Sequence, residues 1–201
     1  MGTPLALEIL TGPDIWRVMQ NHEPLIDGVL WDGDVVMLLG SEKAGKSILG
    51  LQLAFCLTSC TPFLDKYPVP KPLSVMYIQT EGKESEFVDR MHRMSNTVEV
   101  EETRFSRVFK HSLALDDPAV VSALIEGIKQ METPPRVAII DSLYTSMLGD
   151  LNENQDVRRF IERASVGPRL ELFGREAATG WTVWGNQITR DLFAQGEVEV
   201  A

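Results

Sequence analysis

The stretch Val35-Val36-Met37-Leu38-Leu39-Gly40-Ser41-Glu42-Lys43-Ala44-Gly45-Lys46-Ser47 decides how this chain is read. Its last eight residues fit the pattern G-x-x-x-x-G-K-[ST]. At average residue usage a chain of this length meets that pattern by chance on the order of once in a hundred sequences. The flanks must therefore decide between a phosphate cradle and an ordinary polar turn. Val35–Leu39 is continuously apolar, as a parallel strand covered on both faces is. From Lys46 to about Ser59, the spacing of Ile48, Leu49, Gln52, Leu53, Phe55 and Cys56 predicts a helix that packs these residues inward. Strand, glycine-hinged loop and helix in that order favour the cradle.

In such a loop Gly40 and Gly45 allow the chain to curl until successive backbone N–H groups face one point. The positive end of the following helix lies behind them. The expected nucleotide-binding set is Gly40, Ser41, Glu42, Lys43, Ala44, Gly45, Lys46, Ser47 and Ile48. Lys46 would reach the outer phosphate oxygens, and Ser47 would offer its hydroxyl to Mg²⁺.

Two more apolar strands carry carboxylates at or just past their carboxyl ends. Leu73–Gln79 runs into Thr80-Glu81-Gly82, and Val137–Ile140 runs into Asp141. Asp141 is the expected second metal-holding group, opposite Ser47. Glu81 stands where a general base could polarise an attacking water. Trp181–Gly185 reads as a last strand, which Gln187 ends after Asn186 as a candidate sensor of the terminal phosphate. Arg175 and Arg190 are candidate charge donors to a phosphate on an adjacent subunit, although a lone arginine is more often a surface residue.

Helices are expected at Asp14–Gln20, at Ser85–Ser95 with Phe87, Val88, Met91 and Met94 on one side, and at Ala119–Met131 after Asp116-Asp117-Pro118. Arg104–His111 reads as a strand, Gln155–Ala164 and Arg169–Ala178 as helices, and Pro62–Pro72 as a proline-punctuated loop. Strands alternating with helices predict an α/β fold, with a mainly parallel sheet covered on both faces and ligands at the carboxyl ends of the strands. Residues 1–30 read as an N-terminal approach segment and 31–201 as the core.

The totals fit one domain of 201 residues, 44% hydrophobic and 24% charged. The net charge of −10 argues against a chain that coats nucleic acid through bulk positive charge. It leaves room for a local basic patch, and Arg158, Arg159 and Arg163 form the one cluster. No apolar run is long enough to span a membrane, and MGTPLALEIL lacks the basic-then-apolar layout of a signal peptide. Cys56 and Cys60, four residues apart in an apolar segment, read as core thiols on one helix face. A reducing cytoplasm is the expected compartment.

Taken together, LIDGVLWDGDVVMLLGSEKAGKSILGLQLA, SVMYIQTEG and RVAIIDSLYTSMLGDLNENQDVRRFIE resemble the RecA-like ATPases. The branch they resemble most holds the RepA-type hexameric helicases and the AAA_25 ATPases, and the resemblance covers roughly residues 24 to 164. It implies a three-layer RecA-like P-loop fold, binding of ATP and Mg²⁺, hydrolysis, and a homo-oligomeric ring or filament serving DNA replication or recombination, with single-stranded DNA as a partner. In it Gly40–Ser47 match the P-loop, Glu81 the glutamate after the second strand, Asp141 the Walker B aspartate and Met147–Asn154 the polar loop that follows. Asn186-Gln187 are similar to an Asn-Gln sensor pair. The histidine-rich motif followed by Arg-Lys has no match, Glu42 and Lys43 replace small residues, and the chain stops at Ala201, soon after its sensor strand. A C-terminally short core is therefore expected. The alternative is a non-catalytic nucleotide-binding module that assembles with a partner protein.

Overall fold

A computed structural model describes residues 11–14, 16, 23–41, 43–111, 113–115, 117–146 and 182–187, with residues 144 and 182–187 as backbone. Among these residues a short antiparallel hairpin, β1 (Pro24–Ile26) and β2 (Leu30–Trp31), precedes the main sheet. The sheet holds β3 (Val35–Leu39), β4 (Val75–Gln79), β5 (Phe105–Phe109), β6 (Val137–Asp141) and β7 (Thr182–Gln187). Its order is β3-β7-β6-β4-β5, and every pairing is parallel. Three helices of the described chain connect the strands: α1 (Lys46–Ser59), α2 (Glu84–Ser95) and α3 (Pro118–Lys129).

Alternation along the strands sorts the core into two layers. Val75, Tyr77, Val137 and Ile139 face one way, and they pack with Leu51, Phe55 and Leu57 of α1 and Phe87 of α2. The hairpin residues Leu25, Ile26 and Leu30 join that cluster. Met76, Ile78, Ala138 and Ile140 face the other way, onto Ile125 and Ile128 of α3 and onto Leu113 and Leu143. Helices thus cover both faces of a parallel sheet, which is the three-layer α/β architecture the sequence predicts.

β4 and β6 are buried at every position, as continuously apolar central strands should be. β3 departs from that expectation. Its side chains are half-buried and Leu39 is 39% exposed, because β3 ends the described sheet with β7 as its one strand neighbour there.

In α1 the predicted stripe gives way to burial nearly all round from Gly50 to Thr58, with Gly50, Leu51, Ala54 and Leu57 added to the predicted set. This helix is sandwiched between the sheet, α2 and the hairpin's cluster, so one face is not enough. Ile48 does not pack inward; it is 54% exposed in the first turn. Cys56 is buried and Cys60 is exposed, because α1 ends at Cys60, which caps it in the left-handed region with φ 61°. Val88, 40% exposed, also falls off the buried side of α2, which Phe87, Met91 and Met94 form.

The other elements form close to their predicted bounds. Asp117 caps α3 by accepting 2.8 Å from the Ala119 N–H, with Pro118 in the first turn where its missing N–H costs nothing. Of the Asp14–Gln20 helix, Asp14 and Trp16 are described and helical. The helices expected at 155–164 and 169–178, the loop 147–154 and Arg158, Arg159, Arg163, Arg175 and Arg190 lie outside the described residues.

Candidate functional site

Parallel strands align their carboxyl ends along one edge of the sheet, and the predicted site residues stand at that edge. In register, Leu39 lies beside Gln187, and Gln79 lies beside both Asp141 and Phe109. Gly40, Thr80, Glu81 and Ser142 therefore leave the sheet side by side.

The loop from β3 to α1 has the backbone its glycines foreshadow. Gly45 caps α1 at φ 88°, a left-handed value that a side chain would resist, and Lys43 also sits at φ 61°. A Cβ on Gly40 would lie 3.6 Å from the aliphatic stem of Lys46, so the loop closes over that side chain. Lys46 is 8% exposed, and its ammonium donates to the carbonyls of Gly40 and Ser41 at 2.8 and 2.7 Å. A cation is thereby curled into the bend of its own loop, at the amino end of a helix with no acidic residue in its first turn. The helix dipole and the ammonium both favour an anion at this end of the helix. Ile48, the residue after Ser47, is exposed, while Glu42 lies outside the described residues.

Asp141 closes the arrangement from β6. It is 5% exposed and receives a hydrogen bond on each oxygen: from the Ser47 hydroxyl to Oδ1 at 3.0 Å, and from the Tyr77 hydroxyl to Oδ2 at 2.8 Å. Burial first, then the Asp141 charge, push the Tyr77 phenol well above its ordinary value, so it stays a proton donor. Ser47 and Asp141 are 94 positions apart in the chain, and the fold brings together the two residues that the sequence had assigned to one cation.

Glu81 follows β4 at the same edge, half-exposed. Its carbonyl accepts 2.8 Å from Gln79 Nε2, and Gly82 turns the chain away at φ 80°. The other amide atom of Gln79, Oε1, is buried with no hydrogen-bond partner among the described residues. Between the two carboxylate-bearing ends lies Thr80, 1% exposed. Its hydroxyl donates to the Ser142 carbonyl at 2.9 Å and accepts from the Ser142 N–H at 3.1 Å; it also lies 2.7 Å from Thr145 Oγ1 and 3.1 Å from Ser146 Oγ. The Thr80 N–H donates to the Asp141 carbonyl at 2.8 Å. These links bind the turn after β4 to the turn after β6.

Sequence reasoning passed over Tyr77, Gln79 and Thr80. A weak signal existed: VMYIQT places hydroxyl and amide groups in a strand otherwise fit for full burial. Gln187 ends β7, where the sequence reading put it, and the strand runs past Gly185 through Asn186 to reach it. A cleft of about 650 Å³ lies elsewhere, between β5 and α3, lined by apolar residues such as Met76, Val108 and Leu124 and by none of the predicted site residues.

Among the described residues no helix is long and apolar enough to cross a membrane, and no three His, Cys, Asp or Glu side chains gather in a metal-binding cluster. The family model AAA_25, an AAA domain, matches residues 10–166, a span that contains the loop, Glu81 and Asp141 and takes in residues 10–23 as well. No curated protein matches the chain.

Proposed function

Because the chain belongs to the AAA_25 family of AAA domains, we propose that it binds ATP with Mg²⁺ at the Gly40–Ser47 loop and hydrolyses it there. Membership makes it a nucleotide-binding ATPase domain; the reading beyond that is carried by the 3.0 Å hydrogen bond between Ser47 and Asp141. A hydroxyl and one carboxylate are hard oxygen donors, few in number. That is the set Mg²⁺ uses when it keeps its waters and shares substrate phosphates, so the residues fit the ion. When bound, Mg²⁺ supplies positive charge that offsets the charge developing on the phosphate oxygens.

The chain's own residues do the rest. Backbone N–H groups of the loop orient the phosphates, and Lys46 leaves the carbonyls of Gly40 and Ser41 to meet the outer phosphate oxygens. Glu81 accepts the proton of a water attacking in line. Gln187, at the end of β7, senses the terminal phosphate. The RecA-like arrangement supports a ring or filament working on DNA in replication or recombination, with single-stranded DNA as the partner that stimulates turnover.

Phosphate release by the purified chain, with and without single-stranded DNA, tests this reading beside the Lys46→Ala variant. Loss of the ammonium should cost about a hundredfold in turnover, the scale of removing one preorganised charge donor. Equal hydrolysis by the variant overturns the site. Nucleotide binding without turnover, in a monomer, selects a binding module that depends on a partner.

A further inference from the structure

The phenol of Tyr77 reaches the site from inside the core. In register Tyr77 lies beside Ile139, two residues short of Asp141 on the same face of β6. Two strand residues span about 6.6 Å, close to the reach of a tyrosine side chain leaning along its strand. The ring is held against Phe87, with centroids 5.3 Å apart, and the side chain is 1% exposed. Its hydroxyl donates 2.8 Å to Asp141 Oδ2 and stands 3.4 Å from the Ser47 carbonyl. On the other side of the same carboxylate, Ser47 donates to Oδ1. A carboxylate gripped on both oxygens cannot turn about its Cβ–Cγ bond without breaking a hydrogen bond.

We propose that Tyr77 is a positioning residue for the cation site: its hydroxyl fixes the plane of the Asp141 carboxylate so that Oδ1 stays turned toward the Ser47 hydroxyl. This rests on the reading that Ser47 and Asp141 hold Mg²⁺. A phenol in this place does for a metal-holding carboxylate what outer hydrogen bonds do for metal ligands generally, setting orientation without touching the ion.

Tyr77→Phe keeps the ring in the core and removes only the donor. Binding of a fluorescent ATP analogue is measured in EDTA and across a Mg²⁺ titration, for wild type, Tyr77→Phe and the core variant Ile139→Val. Positioning predicts that Tyr77→Phe weakens apparent Mg²⁺ affinity about tenfold or more, while affinity in EDTA stays within about twofold. Ile139→Val should lower the melting temperature with Mg²⁺ affinity unchanged. An equal loss with and without Mg²⁺, or an unchanged Mg²⁺ dependence, overturns the role of Tyr77 and leaves the proposed function standing. A wild-type chain that binds no nucleotide in either buffer overturns both.

A second measurement covers the case in which Tyr77→Phe does not fold. With fluorotyrosine at Tyr67, Tyr77 and Tyr144, assigned through Tyr67→Phe and Tyr144→Phe, the Tyr77 ¹⁹F resonance should move when Mg²⁺ joins the nucleotide. No movement beyond that caused by nucleotide alone refutes the positioning role.

Discussion

Replacing Thr80 by valine keeps the shape of the side chain and deletes the hydroxyl that joins the two functional turns. The buried Ser142 N–H donates to that oxygen at 3.1 Å. The Ser142 carbonyl loses one donor but keeps the Ser146 hydroxyl at 2.6 Å. One stranded buried donor costs about 1–3 kcal/mol, and the lost bonds around it add to that, so the change should cost about 2.5 kcal/mol. For a chain of this size the loss corresponds to about 5–10 °C in melting temperature. Thr80→Ser keeps the hydroxyl and removes a buried methyl, which costs about 0.8 kcal/mol. Urea unfolding of the three proteins measures these differences, and phosphate release on the same samples reads the site. Valine should slow hydrolysis because the turn bearing Glu81 and the turn after Asp141 are no longer tied together. If valine and serine destabilise equally, or valine costs under about 0.5 kcal/mol, the hydroxyl does not join the turns as argued.

Glu81→Gln should preserve affinity for the fluorescent nucleotide while phosphate release falls by about a hundredfold or more, the scale of losing a general base; loss of binding instead would discredit Glu81 as the base. Cys56 sets a pH dependence: burial, and after it the Asp65 charge, raise its thiol from 9.0 to about 11 in the fold. The folded protein therefore holds a proton that the unfolded chain gives up. The stability this contributes is complete below about pH 9 and is lost as pH rises through about 11. Urea midpoints from pH 8 to 10.5 should fall less steeply in Cys56→Val than in wild type; parallel slopes refute the assignment.

The fold was legible because its signals are local. Five apolar residues before Gly40, a glycine-hinged turn and a helical run after it state a strand, a loop and a helix within one window. Val137–Asp141 does the same, and an acidic residue closing so apolar a strand is conspicuous. Failures came where neighbours decide. Ile48 has the spacing of a buried helix residue, yet it sits one turn too early, at the open end of the sheet, where the loop bends away. Cys60 has the spacing of Cys56, but the helix stops there and the left-handed cap turns it outward. Periodicity places a residue on a face and cannot say where the covering layer ends.

The site's supporting groups were hidden for a different reason. A phosphate loop announces itself through conformations few residues adopt, so its glycines and lysine are written at fixed spacing. Tyr77 and Asp141 share no such rule: 64 positions separate them, and their hydrogen bond exists because β4 and β6 are neighbours in one register. Shifting that register by one residue would send Tyr77 to the α3 face and leave Asp141 without its phenol. Apolar packing on both faces therefore sets the geometry of the carboxylate. Val75 and Val137, buried opposite one another, hold the two strands in step. Core substitutions that loosen this pairing should reach the cation before they reach the phosphate loop, whose ammonium is held by its own carbonyls.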